Sequence, residues 1–247
     1  MLYETALVIA GPTTTGKTDV AFEVARRTGG EIVNADVYYL FDGFPISSGF
    51  SDTQKLHQKT GIPVHLYQVL PHNYAWPDDQ DYVVEANPVI RSILQRDVLP
   101  IVEGCTFSYV RELVEMGRNR QHSMYCPVVG LEWCDDVDEV SLKAKIGRRL
   151  DEMIAEGAVD EVKRDLDRGY RNTRLHWQDV IITPLARYVD SKEPMDLRAV
   201  KAEIVQRFYD EAVLQLKLFK QIPGITWIKH DTSNVERTVE QIMGLLG

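Results

Sequence analysis

The chain has no apolar run approaching the roughly 18–20 residues that a membrane-spanning helix needs, so no membrane partner is expected. Cysteine is scarce. Cys105, Cys126 and Cys134 are the only three in 247 residues, and none stands in C-x-x-C spacing, which argues against a disulfide framework and a zinc site. They are expected as small core residues in a reducing compartment. Positive charge is also short: 28 Lys and Arg face 37 Asp and Glu, a formal net charge of −9. A polyanion is gripped by a basic face, so this balance argues against a nucleic-acid partner while leaving room for a local basic patch. Repeats and low-complexity segments are absent, and the opening MLYETALVIAG carries no basic stretch before its apolar run. A cleaved signal peptide is therefore not expected, and the cytoplasm is the expected location.

Five short apolar runs read as buried strands of a parallel sheet: Leu7–Ala10, Ile32–Asn34, Leu99–Val102, Val128–Trp133 and Ile225–Ile228. Helical periodicity lies between them. Lys17–Arg27 puts Val20, Ala21, Val24 and Ala25 on one face and meets a stop at Thr28-Gly29-Gly30, and Tyr82–Gln95 repeats the pattern with Val83, Ala86, Ile90 and Leu94. This alternation predicts an α/β fold with helices on both sheet faces. The second half is mostly helical: Val140–Glu156 carries Leu142, Ile146, Leu150, Met153 and Ile154 on one stripe, and Leu197–Phe219 forms a long helix. Between them, residues 160–196 are expected to hold shorter helices broken by Gly169, Pro184 and Pro194. Glu115–Cys126, polar, basic and aperiodic, reads as an exposed loop.

The segment Gly11-Pro12-Thr13-Thr14-Thr15-Gly16-Lys17-Thr18 matches G-x-x-x-x-G-K-S/T between a strand and a helix, the context that this motif requires. Its glycines permit a turn whose backbone N–H groups point inward at an anion, and the helix adds its positive end. Lys17 supplies a mobile cation for terminal phosphates, and the Thr18 hydroxyl is placed to hold Mg²⁺. The expected fold is thus a P-loop NTPase-like parallel sheet flanked by helices, with a helical C-terminal half. One domain is expected over residues 1–247: a sheet-rich core to 134, a mainly helical part to 224, then a last strand and helix. The next strand ends in Asp36, at the carboxyl edge where open α/β sheets contact ligands. Two roles are open to it beside that of a helix cap: holding Mg²⁺, or accepting a proton as a general base.

These residues resemble the isopentenyltransferase family, which comprises tRNA dimethylallyltransferases and the adenylate dimethylallyltransferases that make cytokinins. Gly11–Thr18 has the family's G-P-T-x-T/S-G-K-T/S form, and "GGEIVNADVYYLFDGFPIS" is similar to "GGEIVSADSMQVYRGMDIG" of the tRNA enzymes. "GIPVHLYQVL" resembles "GIPHHLIDIL", "LPIVEGCTFSYVREL" resembles "IPILVGGTGLYLKAL", and "LFKQIPGITWI" resembles "WFRRDPRITWL". Glu103-Gly104 is similar to the E-G-G of the adenylate branch. The resemblance covers nearly the whole chain in order. It implies that the P-loop holds the diphosphate of a prenyl donor as a leaving group, with no nucleoside triphosphate hydrolysed. Gly11, Thr14, Thr15, Gly16, Lys17, Thr18, Thr106 and Arg149 would bind that diphosphate, Thr18 together with Mg²⁺. Thr13 would lie near the reacting centre, and Asp36 would take a proton from the attacking exocyclic amine of adenine.

Departures from the family pattern cluster on the acceptor side. Val37 and Tyr39 stand where the tRNA enzymes have serine and glutamine; I-G-T-A-K-P becomes Ile46-Ser47-Ser48-Gly49-Phe50-Ser51, which loses its lysine. The family's G-Y pair falls at Ile181-Ile182, with Asp179 one residue displaced from the adenine-facing aspartate. A basic R-Q-x-A-K-R-Q run becomes Asp210–Leu216, with Glu211 at the donor-discriminating position. The helical insertion with which tRNA enzymes grip the anticodon stem is replaced by the dozen residues from Glu115 to Cys126. A small acceptor follows, an adenine nucleotide such as AMP or another small amine, contacted by Asp36, Tyr39, Ser48, Asp179 and Glu211. The donor would be dimethylallyl diphosphate or its hydroxylated analogue. The alternatives are tRNA dimethylallylation, a binder without turnover, and a P-loop small-molecule kinase, for which Arg118 and Arg120 are the lid candidates.

Overall fold

A computed structural model describes residues 5–71, 73–74, 78–118, 127–169, 178–193 and 195–246. The described residues form six strands in one parallel sheet: β1 (Leu7–Ala10), β2 (Glu31–Asn34), β3 (Val64–His65), β4 (Pro100–Gly104), β5 (Val128–Trp133) and β6 (Thr226–His230). Their order is β3-β2-β4-β1-β5-β6. β1, β2 and β4 are buried throughout, as strands covered on both faces must be. The alternation inside β1 divides the core. Val8 and Ala10 face one hydrophobic cluster, Leu7 and Ile9 the other.

The second cluster is closed by α1 (Lys17–Thr28) and by α10 (Val235–Leu246), through Val20, Ala21, Val24, Val239 and Ile242. The opposite face carries α4 (Asp79–Leu94), α5 (Phe107–Arg118) and the helices of the C-terminal half: α6 (Glu139–Glu156), α7 (Ala158–Asp167), α8 (Ile182–Asp190) and α9 (Leu197–Phe219). Tyr82 and Tyr109 stack with centroids 4.1 Å apart and planes 2° from parallel, joining α4 to α5. Two further helices, α2 (Val37–Leu40) and α3 (Phe50–Thr60), lie between β2 and β3.

Several local expectations are corrected. The two-residue strand β3 is too short to produce a periodic signal, and it forms because Val64 and His65 pair with Ile32 and Val33. Glu115–Arg118 belong to α5 rather than to a loop, carried by the buried Leu113 and Val114 on its core face; residues 119–126, including Arg120 and Cys126, lie outside the described residues. Pro184 does not break its helix. It sits in the first turn of α8, where a missing N–H removes a donor that has no intrahelical partner anyway. Gly169, at φ 90°, does end the helical stretch after α7, and Pro194 lies outside the described residues.

Sheet order determines which residues meet. β4 runs between β2 and β1, pairing Glu103 with both Asn34 and Ile9. The ends of β1, β4 and β2, which carry the P-loop, Glu103 and Asp36, therefore lie side by side. Gly104 makes this possible: a Cβ there would come within 2.1 Å of the Ala35 carbonyl oxygen.

Candidate active site

The P-loop leaves β1 at Gly11, whose φ of 144° and close approach to the Leu131 carbonyl (2.4 Å from a built Cβ) exclude any side chain. Inside the loop, Thr15 Oγ1 and Lys17 Nζ both donate to the Pro12 carbonyl at 2.8 Å. Lys17 is buried at 7% exposure, so the expected mobile cation is held against the loop. Thr14 adopts the left-handed region at φ 70°. Two groups outside the motif hold it there: Trp133 Nε1 donates to its hydroxyl at 3.2 Å, and Lys145 Nζ to its carbonyl at 3.0 Å. The Thr13 amide is engaged by Gln215 Oε1 at 2.8 Å, from a helix 202 residues away. Gly16, at φ 81°, opens α1.

At the neighbouring strand ends, Asn34 bonds both ways around Asp36: its Oδ1 accepts from the Asp36 amide at 2.8 Å, and its Nδ2 donates to the Asp36 and Leu66 carbonyls at 2.9 Å. The Asp36 carboxylate caps α2 by accepting from Tyr38 N at 3.0 Å and receives the Cys105 thiol at 2.7 Å. The capping role and an acid–base role are thus not alternatives, since one carboxylate can serve both. Burial raises the Asp36 pKa above the ordinary carboxylate value, against the lowering effect of the Cys105 and Tyr38 hydrogen bonds and of Lys17. Glu103, 3% exposed, is pushed up to about 7 by burial, Lys17 opposing and Asp36 adding. Its Oε1 accepts from Thr18 Oγ1 at 3.3 Å, while its Oε2 has no hydrogen-bond partner among the described residues.

A cavity of about 350 Å³ opens over the P-loop at Thr13, Thr14, Gly16 and Thr18, with the buried Asp36 and Glu103 behind its lining. Thr13, Thr14, Gly16, Thr18, Lys145 and Arg149 line one end; Tyr39, Ile146, Leu150, Met153, Ile204 and Phe208 supply an apolar wall. Tyr39 stacks on Tyr67 (centroids 5.8 Å apart), which stacks on Phe50 (5.1 Å). Ser48 also lines the cavity, in a loop that the buried Glu161 carboxylate holds through the amides of Ile46 and Ser47 at 2.9 and 2.7 Å.

The residues expected on the donor side separate into two groups. Thr14, Gly16, Thr18 and Arg149 line the cavity together with Asp19 and Asp52, although the Arg149 guanidinium is already ion-paired with Asp52 and Glu152. Gly11, Thr15 and Lys17 are buried in the loop and do not line it. Thr106 joins neither: its hydroxyl accepts from Val37 N at 2.9 Å, which fastens α5 to the Asp36 turn. On the acceptor side the Tyr38 phenol is pushed upward by burial and then by the charges of Asp179, Asp36 and Glu211; Tyr39 and Ser48 line the cavity, and those three carboxylates do not. Asp179 is buried, accepts from the amides of Ile181 and Ile182 (2.7 and 2.5 Å), and is raised to about 6, chiefly by burial. Glu211 Oε1 accepts from Gln215 Nε2 at 3.1 Å, so the late helix links the P-loop contact to a carboxylate felt at Tyr38.

Sequence reasoning missed Tyr38, Glu103, Lys145 and Gln215. Lys145 lies one helical turn before Arg149 and shares its face, a signal hidden among the neighbouring cations of α6. Gln215 stands likewise one turn after Glu211. Glu103 is a carboxylate inside an otherwise apolar strand, which is itself a signal for function.

Comparisons with known proteins agree with this geometry. The family model "Isopentenyl transferase" matches residues 4–123, and "IPP transferase" matches residues 115–221. Among curated relatives, adenylate isopentenyltransferase 5, chloroplastic, of Arabidopsis thaliana is 28% identical over 209 residues, 85% of this chain and 60% of that protein. A tRNA dimethylallyltransferase of Pelotomaculum thermopropionicum is 37% identical over 116 residues, 45% of this chain and 34% of its own. The chain spans about half the length of the plant relatives it matches. Among solved structures, the tRNA isopentenylpyrophosphate transferase of Staphylococcus epidermidis superposes with a TM-score of 0.82 at 18% identity, covering 98% of both chains. A tRNA enzyme can thus match this chain end to end, so the length of the fold does not separate the two kinds of acceptor. The P-loop, the buried Asp36 and the matches to two isopentenyltransferase family models, which together run over residues 4–221, make the chain similar to the isopentenyltransferases along most of its length.

Proposed function

We propose that the protein transfers a dimethylallyl group from its diphosphate to the exocyclic amine of a small adenine nucleotide such as AMP. The observation that carries this reading is a cavity lined both by P-loop residues and by the apolar side chains of Ile146, Leu150, Met153, Ile204 and Phe208. An anion cradle continuous with a hydrophobic slot suits a donor that is diphosphate at one end and hydrocarbon at the other. The P-loop amides, Lys17 and Lys145 orient the diphosphate. As the amine nitrogen attacks the allylic carbon, a C–N bond forms, the C–O bond to diphosphate breaks, and the amine proton passes to Asp36. In this reading Lys17 exchanges the Pro12 carbonyl for the negative charge that grows on the departing diphosphate.

Mg²⁺ belongs to this reading, with the Thr18 hydroxyl as its ligand; a hydroxyl turned towards a buried carboxylate oxygen suits a cation that prefers oxygen donors. When bound, it supplies further positive charge against the leaving group. The charges of Asp179, Asp36 and Glu211, all felt at Tyr38, favour the N–H edge of an adenine base. Among the described residues no helix is long and apolar enough to cross a membrane.

The test is incubation with dimethylallyl diphosphate and, separately, AMP, ADP, ATP, adenosine and an anticodon stem-loop, read by mass spectrometry. A gain of one dimethylallyl group on a mononucleotide is expected. Prenylated RNA alone would move the acceptor to tRNA, turnover of ATP with phosphorylated product would favour a kinase, and diphosphate release independent of any acceptor would overturn the transfer reading.

A further inference from the structure

Among the described residues Glu103 is the carboxylate that meets the Thr18 hydroxyl, and it does so from a strand whose other residues are apolar. A buried carboxylate costs several kcal/mol unless something compensates it. Here one oxygen meets Thr18 Oγ1 at 3.3 Å and the other meets nothing among the described residues. Lys17 acts on it from the cradle, while Asp36 and Asp19 add like charge. A cation is what this arrangement lacks. We propose that Glu103 is a second protein ligand of the Mg²⁺ that accompanies the donor diphosphate, completing a site with Thr18.

The spacing supports this. Two oxygens in adjacent positions of an Mg²⁺ octahedron, each about 2.05 Å from the ion, lie about 2.9 Å apart; Glu103 Oε1 and Thr18 Oγ1 need only close from 3.3 Å. Topology supports it as well. β4 neighbours β1 in the sheet, so Glu103 stands beside the P-loop as the strand-borne acid does in P-loop NTPases, where it shares Mg²⁺ with the loop's Ser or Thr. Mg²⁺ ordinarily takes one or two carboxylates plus substrate phosphates and keeps its remaining waters, and one carboxylate is what this site offers. The tRNA-enzyme segment similar to residues 99–113 has valine at the position of Glu103. The carboxylate resembles the E-G-G of the adenylate branch and is not one that the tRNA-enzyme segment demands.

The inference rests on the prenyl-diphosphate reading, and its test separates the two. Mn²⁺, detected by electron paramagnetic resonance, is titrated into the full chain with inorganic diphosphate present, for the wild type and Glu103→Gln. The amide oxygen of glutamine still accepts from Thr18, so a merely structural role predicts wild-type Mn²⁺ affinity. A ligand role predicts Mn²⁺ binding at least 10-fold weaker, the lower limit found when even outer-shell partners of a metal are lost, with metal-free diphosphate affinity retained. Should Glu103→Gln not fold, Glu103→Asp keeps the charge, withdraws the oxygens by one methylene and is read in the same way. Wild-type Mn²⁺ affinity in the folded variant overturns the role of Glu103 alone. A wild-type protein that binds no diphosphate, with or without metal, overturns the donor reading beneath it.

Discussion

At the scale of single residues, the site is a set of carboxylates whose burial sets their chemistry. Asp36 has to be ionised to take a proton, and burial raises its pKa above the ordinary 3.8. The rate of transfer should therefore rise with pH through an apparent pKa higher than 3.8 and then level off. Asp36→Asn keeps the acceptor for Tyr38 N but not the base, and should lower kcat by about 10²–10⁴ with that limb abolished; a kcat within threefold of wild type would remove Asp36 from catalysis. Asp179 makes a stability prediction. Its folded pKa of about 6 lies above the ordinary 3.8, so between those values the folded chain holds a proton that the unfolded chain releases. Stability is greatest below pH 4 in this respect and falls as pH rises through 6. At about 1.4 kcal/mol per pKa unit, the effect is at most about 3 kcal/mol. Asp179→Asn still accepts from Ile181 and Ile182 and should unfold at higher urea than wild type at pH 8, with the gap closing towards pH 4. A gap that does not vary with pH would mean that Asp179 titrates normally.

At the scale of elements, short-range pattern and long-range contact part company. β1, the P-loop and α1 are contiguous, and every rule that predicts them acts within a few residues: apolar run, glycine turn, helical stripe. The late helix α9 is equally legible as a helix, yet nothing in its own pattern says that Gln215 reaches the Thr13 amide. That contact makes the helix part of the cradle. Gln215→Ala leaves a part-buried amide without its acceptor, a loss worth about 1–3 kcal/mol. It should weaken diphosphate binding roughly 5-fold or more by titration calorimetry while α9 stays folded by circular dichroism. Unchanged affinity would make the contact incidental to binding. The same division explains α6, whose periodicity was readable throughout, whereas the choice of Lys145 as the residue on Thr14 depended on how the helix is rotated against the sheet.

At the scale of the whole molecule, charge and topology decide the partner and the site. With a net charge of −9 and three carboxylates felt at Tyr38, the chain should bind an anticodon stem-loop no more tightly than about 1 µM at physiological salt, the non-specific range. Submicromolar binding that steepens as salt is lowered would contradict the small-acceptor reading. Local sequence determined the strands, the cradle and the presence of Asp36, because turn geometry, periodicity and strand burial are written within a few residues. Tertiary structure decided the rest: parallel order β2-β4-β1 set Glu103 between the strand ends that carry Asp36 and the P-loop, and the packing of α6 and α9 brought Lys145 and Gln215 to the loop. Those meetings depend on crossovers of tens to hundreds of residues, which only the packing of sheet against helices selects.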